Sequence, residues 1–337
     1  MKTRYGSCFD ALATEAECRG IRVSALGARN ILALFAFGRT ARLFGTITDR
    51  TSHLAVQLAD DKRATKLLLS ACDLPTPDFY AVDVEDEAVN ALSALGSAVV
   101  LKPRNGAQGR GVTVGLSSEA HVREAFRLAS RYSKVVLVER YQTGRDYRVL
   151  VVDGKIAAVA ERMPAMVIGD GMHSIGYLIN EQNKDPRRGD GDEKPLTKIS
   201  VDARIEAFLR RSGRTLQTVP ARDQSIIVNP LGSLSQGSGS ADRTDDIHPE
   251  IAALAIEATR LVGLDIAGVD LIASDIASPM DDADAHVIEV NCSPGLRAHL
   301  FPGEGKSRNP AVEIVDYLFP ESAAVDVLET GRCARHC

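Results

Sequence analysis

Ala267-Gly268-Val269-Asp270-Leu271-Ile272 and, past an acidic turn, Ala285-His286-Val287-Ile288-Glu289-Val290-Asn291-Cys292-Ser293-Pro294-Gly295 form the stretch on which the fold turns. Side chains on a strand alternate between faces, so Glu289 and Asn291 point one way while Ile288 and Val290 point the other. If the Asp270 strand pairs alongside, a second carboxylate joins them. Two carboxylates and an amide oxygen are hard ligands of the kind that hold Mg²⁺, an ion that keeps several waters and takes further ligands from substrate phosphates. Ser293-Pro294-Gly295 then makes a turn that lets substrate approach the backbone. The same spacing also fits two edge strands whose acids are simply solvated.

Upstream, Pro249 opens a helix with Ile251, Leu254, Ala255, Ala258 and Val262 on one face, and Gly263 stops it. Lys62 and Lys66 share a helix face behind the capping pair Asp60-Asp61, a spacing that usually means surface solvation. A strand at 98–101 ends in Lys102-Pro103, which places a lysine where it can reach into a cleft. Asn105-Gly106-Ala107-Gln108-Gly109-Arg110-Gly111-Val112 follows; such a hairpin can cradle phosphate oxygens with backbone N–H groups or merely turn tightly. It is neither a Walker loop nor a dinucleotide-binding fingerprint. Strand 135–139 leads through Arg140-Tyr141 to a hairpin, 147–152 and 155–161, joined by Asp153-Gly154. In an ordinary sheet its charged positions Asp146, Arg148 and Arg162 would face solvent. Residues 168–198 form a long polar segment with a short helix at 174–182, which is either functional or disordered, and 230–240 reads as a linker. Residues 31–58 resist assignment, and the N-terminal part reads as a small α/β unit.

The chain has 337 residues, enough for about two or three domains, in the proportions of a soluble globular protein. A net charge of −5 argues against nucleic-acid and anionic-membrane partners. No apolar run is long enough to cross a bilayer, and no secretory h-region follows Met1. Six scattered cysteines without a C-x-x-C pair read as reduced thiols, which implies a cytoplasmic protein. Cys333, His336 and Cys337 either bind a metal or belong to a frayed tail.

Taken together, the ordered series Lys62, Lys102-Pro103, glycine-rich hairpin, Val138-Glu139-Arg140-Tyr141, Asp146, Asp270, Glu289 and Asn291-Cys292-Ser293-Pro294-Gly295 resembles the ATP-grasp ligases. Within them the ATP-grasp region of cyanophycin synthetase is the nearest likeness, carried by Gly45–His53, Gly106–Val112, Asp185–Ile199, Asp242–Pro249 and Leu264–His299. Bifunctional glutathione synthetase is a more distant match. The resemblance implies an α+β ATP-grasp fold: a short N-terminal α/β subdomain (1–59), a small lobe with the lid hairpin (60–140), a large lobe (141–320) and a C-terminal tail (321–337). It implies ATP with Mg²⁺, or Mn²⁺, held by Asp270, Glu289 and Asn291. Lys62 and Lys102 would meet phosphates under the lid at Gly106, Gln108, Gly109 and Gly111. Glu139, Arg140 and Tyr141 would lie at adenine, and Asp146 at the ribose.

The reaction implied is amide formation through an acyl phosphate, with Arg162, Lys102 and Asn291 as the catalytic set. Segment 168–198 would close over the intermediate. Ser293, Arg297, His299 and Lys194 are placed to touch substrate. Homo-oligomers are common among such relatives, so a homo-oligomer is expected, with small-molecule amino-acid or peptide substrates. The resemblance stops soon after Phe319-Pro320 without the Mur-ligase-like module, and Ser233 stands where the family tends to carry asparagine in the 228–238 loop. The first departure favours a stand-alone enzyme making a single coupling, and the second means that the family's substrate pair does not carry over. A glutathione-synthetase-like ligase and an ATP-binding regulator without turnover are the alternatives.

Overall fold

The computed structural model describes residues 7–27, 31–106, 108–191, 194–232, 235 and 237–326. Helix α1 (Ser7–Cys18) lies on an antiparallel sheet of β1 (Arg22–Ala25), β2 (Ile31–Ala36), β3 (Arg39–Phe44) and β4 (Ile47–Thr48). Helices α2 (His53–Asp60) and α3 (Lys62–Ala71) follow almost without a break. Asp61 divides them: its side chain accepts from the amides of Arg63 and Ala64 and caps the second helix.

The small lobe consists of β5 (Phe79–Val82), α4 (Glu85–Leu95), β6 (Val99–Pro103), β7 (Thr113–Leu116), α5 (Glu119–Ala129) and β8 (Val136–Arg140), its strands ordered β5-β8-β6-β7. Both helices bury their apolar stripes, Ala88, Ala91 and Leu95 with Val122, Ala125 and Phe126, against that sheet.

The large lobe starts with β9 (Arg145–Val152) and β10 (Lys155–Met163). Asp153 and Gly154 both take positive φ, 49° and 69°, as the two-residue hairpin turn requires. An inserted unit of β11 (Ala165–Ile168), α6 (Ile175–Gln182), β12 (Arg188–Gly189), β13 (Leu196–Thr197), α7 (Ala203–Arg211) and β14 (Ser225–Asn229) comes next. The chain then adds β15 (Gly239–Asp242), α8 (Pro249–Val262), β16 (Ile266–Ala273), α9 (Met280–Ala283), β17 (His286–Asn291), α10 (Arg297–Leu300), α11 (Ala311–Leu318) and α12 (Pro320–Asp326). The main sheet runs β15-β10-β9-β16-β17 and is antiparallel throughout.

Alternation along β9 and β16 decides what each face does. Tyr147, Val149, Val151, Val269 and Leu271 pack with Ile251, Leu254, Ala255 and Ala258 of α8. The opposite face is split along its length. Toward one end Leu150, Val152 and Ile266 share a core with Leu32, Leu34 and Leu43 of the N-terminal sheet and with Ile314 and Val315 of α11. The N-terminal unit therefore has no core apart from the large lobe. Toward the other end the same face carries Asp146, Arg148 and Asp270, and there the site lies.

Two segments are more ordered than composition suggests. Much of 168–198 is tied into the insertion, whose own core holds Ile175, Ile179, Ile199, Ile205 and Leu209. The Asn183 side chain imitates a strand partner for Ile199, accepting from its amide at 2.8 Å and donating to its carbonyl at 2.9 Å. Ser238 and Ser240, expected in a linker, are buried. The expected tail opens as α12, while Cys333, His336 and Cys337 lie outside the described residues.

Candidate active site

Strand register assembles the site. Asp270 is the Cα partner of both Glu289 and Arg148, Gly268 is that of Asn291, Asp146 that of Arg162, and Arg162 that of Ser240. Paired residues share a face, so two adjacent rows, Ser240–Arg162–Asp146 and Arg148–Asp270–Glu289, put polar side chains on one face of all five strands. Arg148 makes a two-pronged contact with Asp270, in which Nε reaches Oδ1 and Nη2 donates to Oδ2 at 3.1 Å. Arg162 Nη2 lies 3.1 Å from Asp270 Oδ2 and 2.6 Å from Asp146 Oδ1. Burial alone would push the Asp270 carboxyl up, but the two guanidiniums hold it below the usual range. Asp146, where burial outweighs Arg162, is pushed up.

A second cluster sits where α3 meets the small lobe. Glu139 is buried, with Lys102 Nζ 2.7 Å from Oε1 and Lys66 Nζ 3.4 Å from Oε2. Lys66 also donates to Thr76 Oγ1 at 2.9 Å. Only 1% of Lys66 is exposed, and burial pushes its ammonium down to about 8. Lys62 bridges the two clusters, with Nζ 2.9 Å from Glu289 Oε1 and 2.7 Å from the Gly106 carbonyl. Across the whole site five cations face four carboxylates, two of the lysines sharing a single buried acid. Excess positive charge held away from water is a receptor for an anion.

The hairpin between β6 and β7 has the backbone its glycines suggest. Gly106, Gln108, Gly109 and Gly111 all have positive φ, from 59° to 135°. A Cβ on Gly111 would stand 2.8 Å from the Tyr132 ring, so only glycine fits there. Ala107 is outside the described residues.

The donor set suits Mg²⁺. Asp270, Glu289 and Asn291 share the face, and Asn291 Nδ2 donates to the Gly268 carbonyl at 3.1 Å, which leaves Oδ1 for a cation. Among the described residues no three His, Cys, Asp or Glu side chains form a metal-holding group. Two carboxylates and an amide are a partial set that suits an ion completed by water and phosphate.

The remaining candidates are spread more widely. Arg140 pairs with Asp78 at 3.2 Å, and Tyr141 is exposed with its amide bonded to the Ala98 carbonyl at 2.8 Å. Ser293 Oγ accepts from Thr46 N at 3.4 Å, and Thr46 Oγ1 donates to the Pro294 carbonyl at 3.2 Å, so the Ser-Pro-Gly turn is held by the N-terminal sheet. Arg297 is buried and serves the loop: it donates to the Gly191 carbonyl and to Thr197 Oγ1, each at 2.9 Å. Lys194 donates to the Pro186 carbonyl at 2.9 Å. His299 is buried beside the arginines.

Three cations escaped the sequence reading. Lys66 shares its helix face with Lys62, and Arg148 stands two residues from Asp146 on one strand face. Either periodicity could have flagged them once the strands were paired. Arg188 is buried and donates to the carbonyls of Thr197 and Gly237 at 2.6 and 3.1 Å, a placement no local pattern announces.

Residues 67–149 match the ATP-grasp domain family and residues 234–314 the RimK-like ATP-grasp domain. The chain is 42% identical over 326 residues to cyanophycin synthetase of Trichormus variabilis, covering 96% of this chain and 36% of that protein. It is 34% identical over 283 residues to the glutathione biosynthesis bifunctional protein of Mannheimia succiniciproducens, covering 82% and 37%. The crystal structure of a bifunctional glutathione synthetase from Pasteurella multocida superposes with a TM-score of 0.67 at 31% identity, over 94% of this chain and 44% of that one. The chain thus spans a little over a third of the length of these two curated relatives. In its fold, its two matched segments and its relatives, the chain belongs to the ATP-grasp superfamily.

Proposed function

We propose that the protein is an ATP-dependent carboxylate–amine ligase that couples an amino acid or short peptide to an amine through an acyl phosphate, releasing ADP and phosphate. The observation that carries this reading is the cluster Arg162, Arg148, Asp270 and Glu289 on one face of four strands, with Lys62 linking it to the glycine-rich hairpin. Phosphoryl transfer asks little covalent chemistry of a protein and much positioned charge, which this cluster supplies.

Lys62, Lys66 and Lys102 are the phosphate ligands in this reading, and the hairpin amides are the lid. Asp270, Glu289 and Asn291 would hold Mg²⁺, which would supply neutralisation of the phosphate charge. Arg148 and Arg162, fixed by Asp270 and Asp146, stabilise charge on the transferred phosphoryl group and then on the tetrahedral oxyanion. Their orientation is set before substrate arrives, so little reorganisation is needed at the transition state. The segment strapped down by Arg188 and Arg297 shields the acyl phosphate from water. Glu139 and Asp146 remain the candidates for adenine and ribose. Among the described residues no helix is long and apolar enough to cross a membrane.

The test is ADP formation with ATP and Mg²⁺ across pairs of amino acids and dipeptides, with the product identified by mass. Dipeptide or longer peptide product is expected. Absence of phosphate release with every pair would overturn the reading. The similarity to glutathione-synthesising proteins favours one second reading, ligation of γ-glutamylcysteine to glycine, which the same assay separates by product mass.

A further inference from the structure

His299 has two ring nitrogens and uses neither: both are shut off from solvent, and neither has a hydrogen-bond partner among the described residues. Only 3% of the residue is exposed. A buried polar group left unsatisfied is costly and calls for a reason. The ring's position is held from both sides along the backbone. His299 N donates to the Leu296 carbonyl at 3.0 Å, and its own carbonyl accepts from Arg308 N at 2.9 Å.

The surroundings connect it to the active face. Helix α10 packs on β10 and β15. Ser240, the Cα partner of Arg162, donates Oγ to the Ala298 carbonyl at 2.9 Å, which sets the next residue beside that arginine. The charged groups close enough to act on the ring are Arg148 from β9, Arg162 from β10 and Asp242 from β15. Asp242 is already engaged by Thr244 Oγ1 at 2.6 Å and by Arg308 Nε at 2.9 Å. Burial keeps the imidazole neutral down to about pH 3, and the two guanidiniums add to the effect.

We propose that His299 is a catalytic residue of the second half-reaction, its unused ring nitrogen receiving the proton that the attacking amine gives up. The inference rests on the ligase reading above. In the step, the amine nitrogen bonds to the acyl carbon, and the acyl carbon–oxygen bond to phosphate breaks with its electron pair leaving on phosphate. One N–H proton passes to the imidazole and then to the released phosphate. A neutral ring is the correct starting form because its lone pair is available. Burial, with Arg148 and Arg162 adding to it, makes it a weak base in the resting site. A phosphoryl group between those guanidiniums offsets their share of that effect, so the ring is a better base once the carboxylate has been activated.

The test uses His299→Leu, which fills a similar volume and removes the unsatisfied nitrogens, with His299→Asn as a second variant. Amide formation is measured with L-glutamate and L-aspartate as acids against the common amino acids as amines, alongside hydroxamate formation from the same acids with hydroxylamine. Hydroxylamine is unprotonated at neutral pH and a good nucleophile, so it traps the acyl phosphate with little need of a base. Expected are a thermal midpoint no lower than wild type for His299→Leu, amide formation slowed ~100-fold or more in both variants, and hydroxamate formation within a few-fold of wild type. Wild-type amide rates in either variant, or equal loss of amide and hydroxamate, would overturn the assignment. Absence of hydroxamate with the wild-type protein would instead overturn the ligase reading, and this inference with it.

Discussion

Lys62 Nζ stands 2.9 Å from Glu289 Oε1 and 2.7 Å from the Gly106 carbonyl, so one ammonium ties a candidate metal ligand to the lid hairpin. The tie is reinforced at the hairpin base, where Arg104 Nε donates to Asp61 at 2.9 Å and Lys62 N donates to the Arg104 carbonyl at 3.2 Å. Lys62→Met removes the charge but keeps the stem. The variant should fold, lose ADP formation by ~100-fold, the usual scale for one preorganised donor, and become more sensitive to trypsin at Arg104 and Arg110. Unchanged turnover with an unchanged digestion pattern would mean that the bridge is incidental.

Lys66 carries a pH prediction whose two halves have opposite signs. Its ammonium titrates at about 8 in the folded protein, mainly through burial, against ~10.4 for an exposed lysine. Anion binding needs the charged form, so ATP affinity measured by calorimetry should be level below pH 7 and fall as pH rises through 8. Between about 8 and ~10.4 the unfolded chain binds more protons at this residue than the folded one, so this group's contribution to stability rises over the same window. Lys66→Met should flatten both trends together. Persistence of the affinity decline in that variant would assign the titration elsewhere.

Asp270 and Arg148 form a buried pair best measured as a cycle. Asp270→Asn takes the carboxylate from Arg148 and leaves Arg162 with Asp146 alone, and breaking such a pair from one side costs about 3–5 kcal/mol. The double variant Asp270→Asn/Arg148→Met should be less destabilised in urea than the two single variants added together. Strict additivity would show that the two residues do not interact in solution.

Much of this site could be read before its geometry was known, and the gaps have physical causes. That Glu289 and Asn291 share a face, which Asp270 joins only through the pairing of β16 with β17, was legible because strand alternation is local: positions two apart share a face whatever the rest of the chain does. Helix α8 was legible for the same reason, with Pro249 and Gly263 marking its ends. Lys66 was not, because the spacing that places it beside Lys62 is the spacing of a solvated helix face; only packing against Glu139 distinguishes them. Arg148 and Arg162 depended on which strands pair, which the sequence of either hairpin strand does not contain. Residues 31–58 were opaque because β2 and β3 complete a core built from Leu150, Ile266 and Ile314, far along the chain. Beyond the helix at 174–182, whose Ile175 and Ile179 reach the insertion's core, segment 168–198 read as a loop because the anchors of its second half are polar side chains, Asn183, Arg188 and Arg297, bonding to backbone.

Gly268 separates positioning from mere presence of the arginine. A Cβ there would stand 2.8 Å from Pro294 Cβ, 3.0 Å from Arg148 Cδ and 3.1 Å from Arg148 Nη1. The proline contact forces the Ser293-Pro294-Gly295 turn or β16 to shift, and the Arg148 side chain has to give as well, and with it the contact that fixes Arg148 on Asp270. Gly268→Ala should therefore cost about 1–3 kcal/mol of stability, as overpacking does, and reduce amide formation by more than that destabilisation explains. Assayed well below its melting temperature, the variant should keep ATP affinity within a few-fold, because the lysine cluster at Glu139 is untouched, while its turnover falls at least ~10-fold. Turnover preserved at that temperature would show that Arg148 does not need its present orientation, and the preorganised-arginine mechanism would have to be given up.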